Sequence, residues 1–318
     1  MPRGKPTKKQ REAKKQRERI LNEGREQEKK YIAWHVVAFL DLLGQQDKLR
    51  EINALPNVQN EEEVTAFKQK IDVIYKPFLA LKTFFKDSIE PFIKGGMDDA
   101  AFSPQEQRLL QEFRSTPISY RRFSDSLIVN LPLRSTLGKF PCHAIYGVLV
   151  ATATTFLSCL ANSWAIRGGI DVGLAIDVDD GEIYGPALAR AYTLESRIAQ
   201  YPRIVIGDEL IRFLRVISAQ HALTGEDKAH TGFAMKSLNL LIVDDDGYTI
   251  LDWLGRDIRE VFQHQPELVL SAYHFIIQES NKHKDNRDSK LGFRYTLLRD
   301  YVESRLPAWG LPSQVEVE

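Results

Sequence analysis

His35 to Gly44 reads HVVAFLDLLG, a run of β-branched, aromatic and aliphatic residues broken near its end by one acid, Asp41. Its composition is that of a strand buried on both faces. A carboxylate in such a run is costly unless a cation or a hydrogen-bond donor meets it. Arg121 to Leu131, RRFSDSLIVNL, has the same character and carries Asp125. Taken singly, Asp41 can cap the next helix and Asp125 can make a hairpin turn. One order of elements brings them together. If the first strand, a helical excursion and a hairpin around Ser124-Asp125 form a split βαβ, the hairpin turn lies beside the carboxyl end of the first strand. Two acids at one sheet edge repel unless divalent metal lies between them. Oxygen-only ligation of that kind suits Mg²⁺ or Mn²⁺ with phosphate as a further ligand.

Between the two acids the sequence predicts helices. LLGQQDKLREINAL reads as one beginning near Gly44 and stopped by Pro56. A longer one follows Asn60, with acids in its first turn, a bend at Pro77 and a close at Gly95-Gly96; Ser103 opens another in the capping-box pattern. After the hairpin, Phe140 to Ile166 runs twenty-seven residues without Asp, Glu, Lys or Arg. It is long enough to span a bilayer, but His143, Asn162, Gly147 and its position between two strand signals predict a buried helix. From Gly168, GGIDVGLAIDVDDGEIYG predicts a second hairpin turning at Asp180-Gly181. The acids Asp177, Asp179 and Asp180 lack the spacing of a calcium loop. A helix from Pro186, a short strand from Arg203, a helix near Asp208, a hairpin at Asp246-Gly247, helices from Pro266 and Asp288 and a frayed last ten residues complete the prediction.

The chain has 318 residues and no net charge, yet residues 1–30 hold twelve Lys or Arg against five Glu. The remainder is therefore acidic, which excludes a globally basic nucleic-acid binder. The opening segment has almost no apolar residues and reads as a solubilising tail or as a contact for anionic nucleic acid or lipid. Two cysteines, Cys142 and Cys159, too far apart on one helix to bridge, and the lack of a secretory signal predict a cytoplasmic protein. No Walker loop, GxSxG, CxxC or His ligand spacing occurs.

Four segments in order, VAFLDLLG, FSDSLIV, RGGIDVG followed by GEIYGPALARAYTLES, and RIVIG, resemble the class III nucleotidyl cyclase domain. The wording is most similar to the pyrimidine cyclases of the Pycsar anti-phage systems, in RGGI, IYGPAL, AY-x-LES and YPRIVI, and the resemblance covers roughly Ala33 to Asp208. It implies an α+β fold, a ferredoxin-like βαββαβ core with extra helices over 31–253, between the basic tail of 1–30 and a C-terminal extension of 254–318. It also implies a head-to-tail homodimer with sites at the interface. On this resemblance Asp41 and Asp125 hold two Mg²⁺ or Mn²⁺ ions per site with the Leu42 carbonyl, and Leu43, Gly44 and Arg203 meet the phosphates. Arg121 and Glu182 stand where the family reads the base. The late helix has Ala189 and Thr193 in place of the family's Asn and Arg, so Arg197, one turn on, is taken as the transition-state donor; Gln45 and Gln46 replace the usual Phe and Thr of the phosphate loop. The implied reaction converts UTP, or else CTP, to its 3′,5′-cyclic monophosphate and pyrophosphate, a messenger for a separate effector. The rival readings are a purine cyclase and a nucleotide-binding protein without turnover.

Overall fold

The computed structural model describes residues 32–94, 102–113, 118–133, 141–178, 182–221, 224–262 and 265–312. The tail of 1–30, Gly95-Gly96 and the turn residues Asp179 to Gly181 lie outside them. The strands are β1 (Ile32–Leu42), β2 (Ser119–Phe123), β3 (Ser126–Pro132), β4 (Ile166–Val178), β5 (Glu182–Tyr184), β6 (Ile204–Ile206), β7 (Leu241–Val243) and β8 (Thr249–Leu251). They form one mixed sheet in the order β2-β3-β1-β4-β6-β8-β7, with β5 paired to β4. Strands β2, β3, β1 and β4 pair antiparallel with one another, and β6 runs parallel to β4. The hairpin β2–β3 therefore lies beside β1, as the split βαβ requires. The expected hairpin at Asp246-Gly247 forms too, with Gly247 at positive φ, and through β8 it extends the main sheet beyond β6.

Why β1 reads as continuously apolar is plain from its two faces. Val36, Ala38, Leu40 and Leu42 point into the large core, while Val37 and Phe39 enter a smaller cluster with Ala175, Ile183, Ala187 and Ala191. The large core is built on α4 (Cys142–Ala161), in which eighteen residues are buried. This is the uncharged stretch. Among the described residues it is the one helix long and apolar enough to cross a membrane, and 89% of its most apolar stretch is buried in the fold. Its Thr152, Thr154 and Thr155 hydroxyls donate to carbonyls one turn back, so they enter the core without orphaned groups. A fully buried ring such as Phe156 contributes about 1.5–3 kcal/mol by leaving water.

Around α4 pack α2 (Glu61–Lys94), α7 (Gly225–Asn239) and α9 (Pro266–Asp285). α2 continues without a break through Pro77 and Pro91. α3 (Pro104–Phe113) has the capping box, closed by Glu106 against Ser103. α1 (Gln45–Arg50) is shorter than expected and stops well before Pro56. Its Leu49 and the following Leu55 are exposed, so no buried face sustains a longer helix. The sequence reading missed α7, capped by Thr224 and Asp227, and the short α8 (Arg256–Val261).

The extension is not a separate body. Val269, Ala272, Tyr273 and Ile276 of α9 and Tyr295, Leu298 and Val302 of α10 (Ser289–Arg305) join the same core as α4. Asp252, just after β8, accepts from Tyr301 at 2.7 Å and from Arg305 at 3.1 Å, and Trp309 donates to the Leu254 carbonyl at 3.0 Å. Trp309, the first of the last ten residues, is therefore packed rather than frayed, while 313–318 lie outside the described residues.

α5 (Pro186–Thr193) covers the other face of the sheet, and a π-helical turn, Leu194–Ile198, continues it. The approach is close because β4 carries glycine there: a Cβ at Gly169 would lie 2.3 Å from the Ala191 carbonyl oxygen and 2.5 Å from Leu194 Cβ. Gly169→Ala is expected to destabilise the fold by about 2–3 kcal/mol, read as a lower denaturant midpoint. An unchanged midpoint would show that α5 is free to move off the sheet.

Candidate functional site

The site is set by register. Asp41 lies opposite Ser126 on β3 and opposite Arg167 on β4, so all three project from the same face at the same sheet edge. The Ser126 hydroxyl donates to Asp41 Oδ1 at 2.8 Å. Asp125 occupies the turn immediately before, after Ser124 at φ 54, and its carbonyl accepts from the Leu42 N–H at 3.3 Å. The two predicted acids therefore meet, and the charge of Asp125 contributes to holding Asp41 above the usual carboxylate range, after burial as the larger cause.

A third carboxylate, unassigned from the sequence, completes the arrangement. Glu195, on the π-helical turn and 2% exposed, pairs with Arg167 Nε at 2.6 Å, while Arg167 Nη2 lies 3.6 Å from Asp41 Oδ2. Burial first, and the neighbouring Asp41 second, push the Glu195 carboxyl up to about 7; Arg167 offsets only part of this. Arg167 and Glu195 belong to the quoted RGGI and LES wording. Their signal was a charge at each end of a close glycine contact. Asp171, also in that wording, is buried and accepts from Arg190 Nε at 2.6 Å and from the Leu210 N–H at 2.9 Å. It fastens α5 and the start of α6 (Asp208–Ser218) to β4.

The remaining expected site residues are placed differently. Arg121 lies opposite Ile128, which lies opposite Phe39, so it shares the face of Asp41 two strands away. Glu182 is exposed and pairs with Val178, at the far end of β4 from Arg167. Eleven residues of strand separate those ends, roughly 36 Å. Leu43 and Gly44 border a cavity of about 460 Å³ that also touches Arg167, and the Leu43 N–H is already donated to the Ala165 carbonyl at 2.9 Å. Arg203 is 3% exposed, with its guanidinium directed to Asp244 and, at 2.5 Å, to Asp246, over the Tyr201 ring. Arg197 is exposed and lines a second cavity, of about 770 Å³, together with Arg203. Glu195, on the π turn, is the residue that reaches Asp41 through Arg167. Ala189 and Thr193 are both exposed, and the Thr193 hydroxyl donates to the Ala189 carbonyl at 2.8 Å.

Among the described residues no group of three or more His, Cys, Asp or Glu could hold a metal ion unaided. Asp41 and Asp125 would offer oxygen ligands of the kind that Mg²⁺ accepts when phosphate and water complete its shell.

No protein-family model matches the chain, nor does any curated protein. A solved structure that is similar is described as a class III adenylyl cyclase-like ATP-binding protein from Pseudomonas aeruginosa, at TM-score 0.36 and 15% identity. The alignment covers 74% of this chain and 45% of that one, so the chain spans less than half the length of that neighbour.

Glu195 and Asp41 both hold protons more tightly in the folded state than in the unfolded chain. The native state then binds more protons than the unfolded one between the ordinary Glu value of 4.5 and about 7, so stability falls as pH rises through that window. Glu195→Gln keeps the shape without the charge. It is expected to remove most of that fall and to raise the unfolding free energy near pH 8 by about 1–3 kcal/mol, measured by denaturant titration in EDTA. Parallel pH profiles for parent and variant would contradict the carboxyl pairing described.

Proposed function

We propose that the protein is a class III-type pyrimidine nucleotide cyclase with a ferredoxin-like core, converting UTP, or less readily CTP, to the 3′,5′-cyclic monophosphate. The observation that carries this is the meeting of Asp41 and Asp125 at one sheet edge, in the strand order that the sequence resemblance requires. Asp41, Asp125 and the Leu42 carbonyl would hold two Mg²⁺ or Mn²⁺ ions. When bound, these ions would lower the pKa of the ribose 3′-hydroxyl and neutralise triphosphate oxygens.

The chain's own residues do the positioning. Ser126 fixes the rotamer of Asp41 by donating to one oxygen, which leaves the other turned toward Arg167. Arg167, itself held by Glu195, places a cation at the same edge, where phosphate charge would gather. Gly44, at φ 75, turns the chain out of β1 and, with Leu43, presents backbone to the phosphate cavity.

Arg121 and Glu182 are the proposed base-reading residues. Glu182 lies roughly 36 Å of strand from the Asp41 edge of its own chain. A site that uses both ends therefore needs a second copy, head to tail, and this supports a homodimer. The proposed setting is the cytoplasm, with the product read by a separate effector in anti-phage defence.

The test is purified protein incubated with each of the four ribonucleoside triphosphates and Mn²⁺, with cyclic product quantified. Cyclic UMP is expected to dominate. Asp41→Ala and Asp125→Ala are each expected to lower its formation at least a hundredfold while leaving the protein folded. Arg121→Ala is expected to shift the UTP to CTP ratio, because arginine donates and uracil O4 accepts where cytosine carries an amino group. Preference for ATP or GTP would overturn the pyrimidine assignment, and nucleotide binding without any cyclic product would leave a binding protein in place of an enzyme.

A further inference from the structure

We propose that the cavity closed by the C-terminal helices α9 and α10 binds a polyphosphate, with Arg294 of α10 as its chief contact. The inference rests on the nucleotide reading above and deepens it: the extension, which lies beyond the segments resembling cyclases, builds a wall of the phosphate site.

The cavity of about 460 Å³ lies between the Gly44 turn and α9–α10, and Lys48, Arg167, Lys282 and Arg294 line it from three separate parts of the chain. Of the carboxylates, only Glu279 is in the lining, and it is already matched to Lys282 at 2.8 Å and to His283 at 3.3 Å. Arg294 forms no salt bridge with a described residue, although the charge of Asp288, the N-cap of α10, also acts on it. Burial first, and the Arg167 cation second, hold its guanidinium below the usual arginine range, and Asp288 offsets only part of this. Two guanidinium groups facing one cleft repel, and an anion between them turns that repulsion into two sets of charge-assisted hydrogen bonds.

Rigidity favours the same conclusion. α10 is held to the end of β8 by the Asp252, Tyr301 and Arg305 bonds, so Arg294 is presented from a fixed element. Arg203, expected from the sequence to meet the terminal phosphates, already has Asp244 and Asp246 on its fork. Among the described residues Arg294 has no carboxylate within salt-bridge distance of its fork, and it lines this cavity and the adjoining one of about 770 Å³. The size of the cavity and its contact with Arg167, which reaches Asp41, favour a small polyanion, the triphosphate of a nucleotide or the pyrophosphate it releases, over an extended nucleic-acid backbone.

The test uses full-length protein and inorganic tripolyphosphate with Mg²⁺, followed by titration calorimetry. The parent is expected to bind, and Arg294→Ala to weaken binding at least tenfold. Lys282→Ala should have a smaller effect, and Arg256→Ala, an equal charge change at an exposed site outside the cavity, none beyond twofold. Arg294→Lys, which keeps the charge and loses the fork, should fall between parent and alanine variant, and it carries the test if Arg294→Ala does not fold. A parent that does not bind tripolyphosphate, or Arg294 variants within twofold of it, would overturn the proposal. Product assays separate this from the cyclase reading. Arg294-dependent binding with no cyclic nucleotide from the parent retains the cavity and removes the enzyme. Equal KM for nucleotide in parent and Arg294→Ala, with product formed by both, retains the enzyme and removes the cavity.

Discussion

The pairing of β1 with β4 is the constraint on which the rest depends. Eleven consecutive pairs, Ile32 with Ile176 through Leu42 with Ile166, lock β1 in place along its whole length, and β3 fixes its other side. A slip of one residue would turn Val36, Ala38, Leu40 and Leu42 out of the core and drive Asp41 into it. Burial of those four side chains therefore also sets which way Asp41 points. The functional geometry is a by-product of a hydrophobic register.

On the face that Asp41 shares, glycine rather than a large side chain makes the site. Gly169 lets α5 and its π turn descend onto β4, and this descent brings Glu195 to Arg167 and so to Asp41. Three carboxylates and one guanidinium then crowd one edge of the sheet, with burial raising the proton affinity of Asp41 and Glu195. Such a cluster is poor for stability at neutral pH and well placed to receive cations. The helices α9 and α10 add opposite charge a short distance away, around the cavity that Leu43 and Gly44 border.

Much of this was legible in the chain. The apolar run around Asp41, the hairpin at Ser124-Asp125 and the charge-free stretch of α4 each carry a local signal strong enough to name strand, turn and buried helix. What escaped depends on partners far away in sequence. Arg203 looked available for phosphate until Asp244 and Asp246, more than forty residues on, were folded against it. The π turn over Leu194–Ile198, which brings Glu195 to Arg167, has a period that the residues do not announce. α7 was missed because Gly232 interrupts it and its apolar residues form no clear stripe. Arg294 has no local mark at all; only the docking of α10 brings it into the cavity wall.

In the proposed site, Asp41 and Asp125 jointly hold divalent metal where a nucleoside triphosphate binds. Electron paramagnetic resonance of Mn²⁺, titrated into the protein with a non-reactive UTP analogue, addresses it without relying on turnover. Two bound Mn²⁺ per site in the parent, with loss of at least one in Asp41→Ala and in Asp125→Ala, is the result this account predicts. Binding of Mn²⁺ that is the same in the parent and in both variants would contradict it.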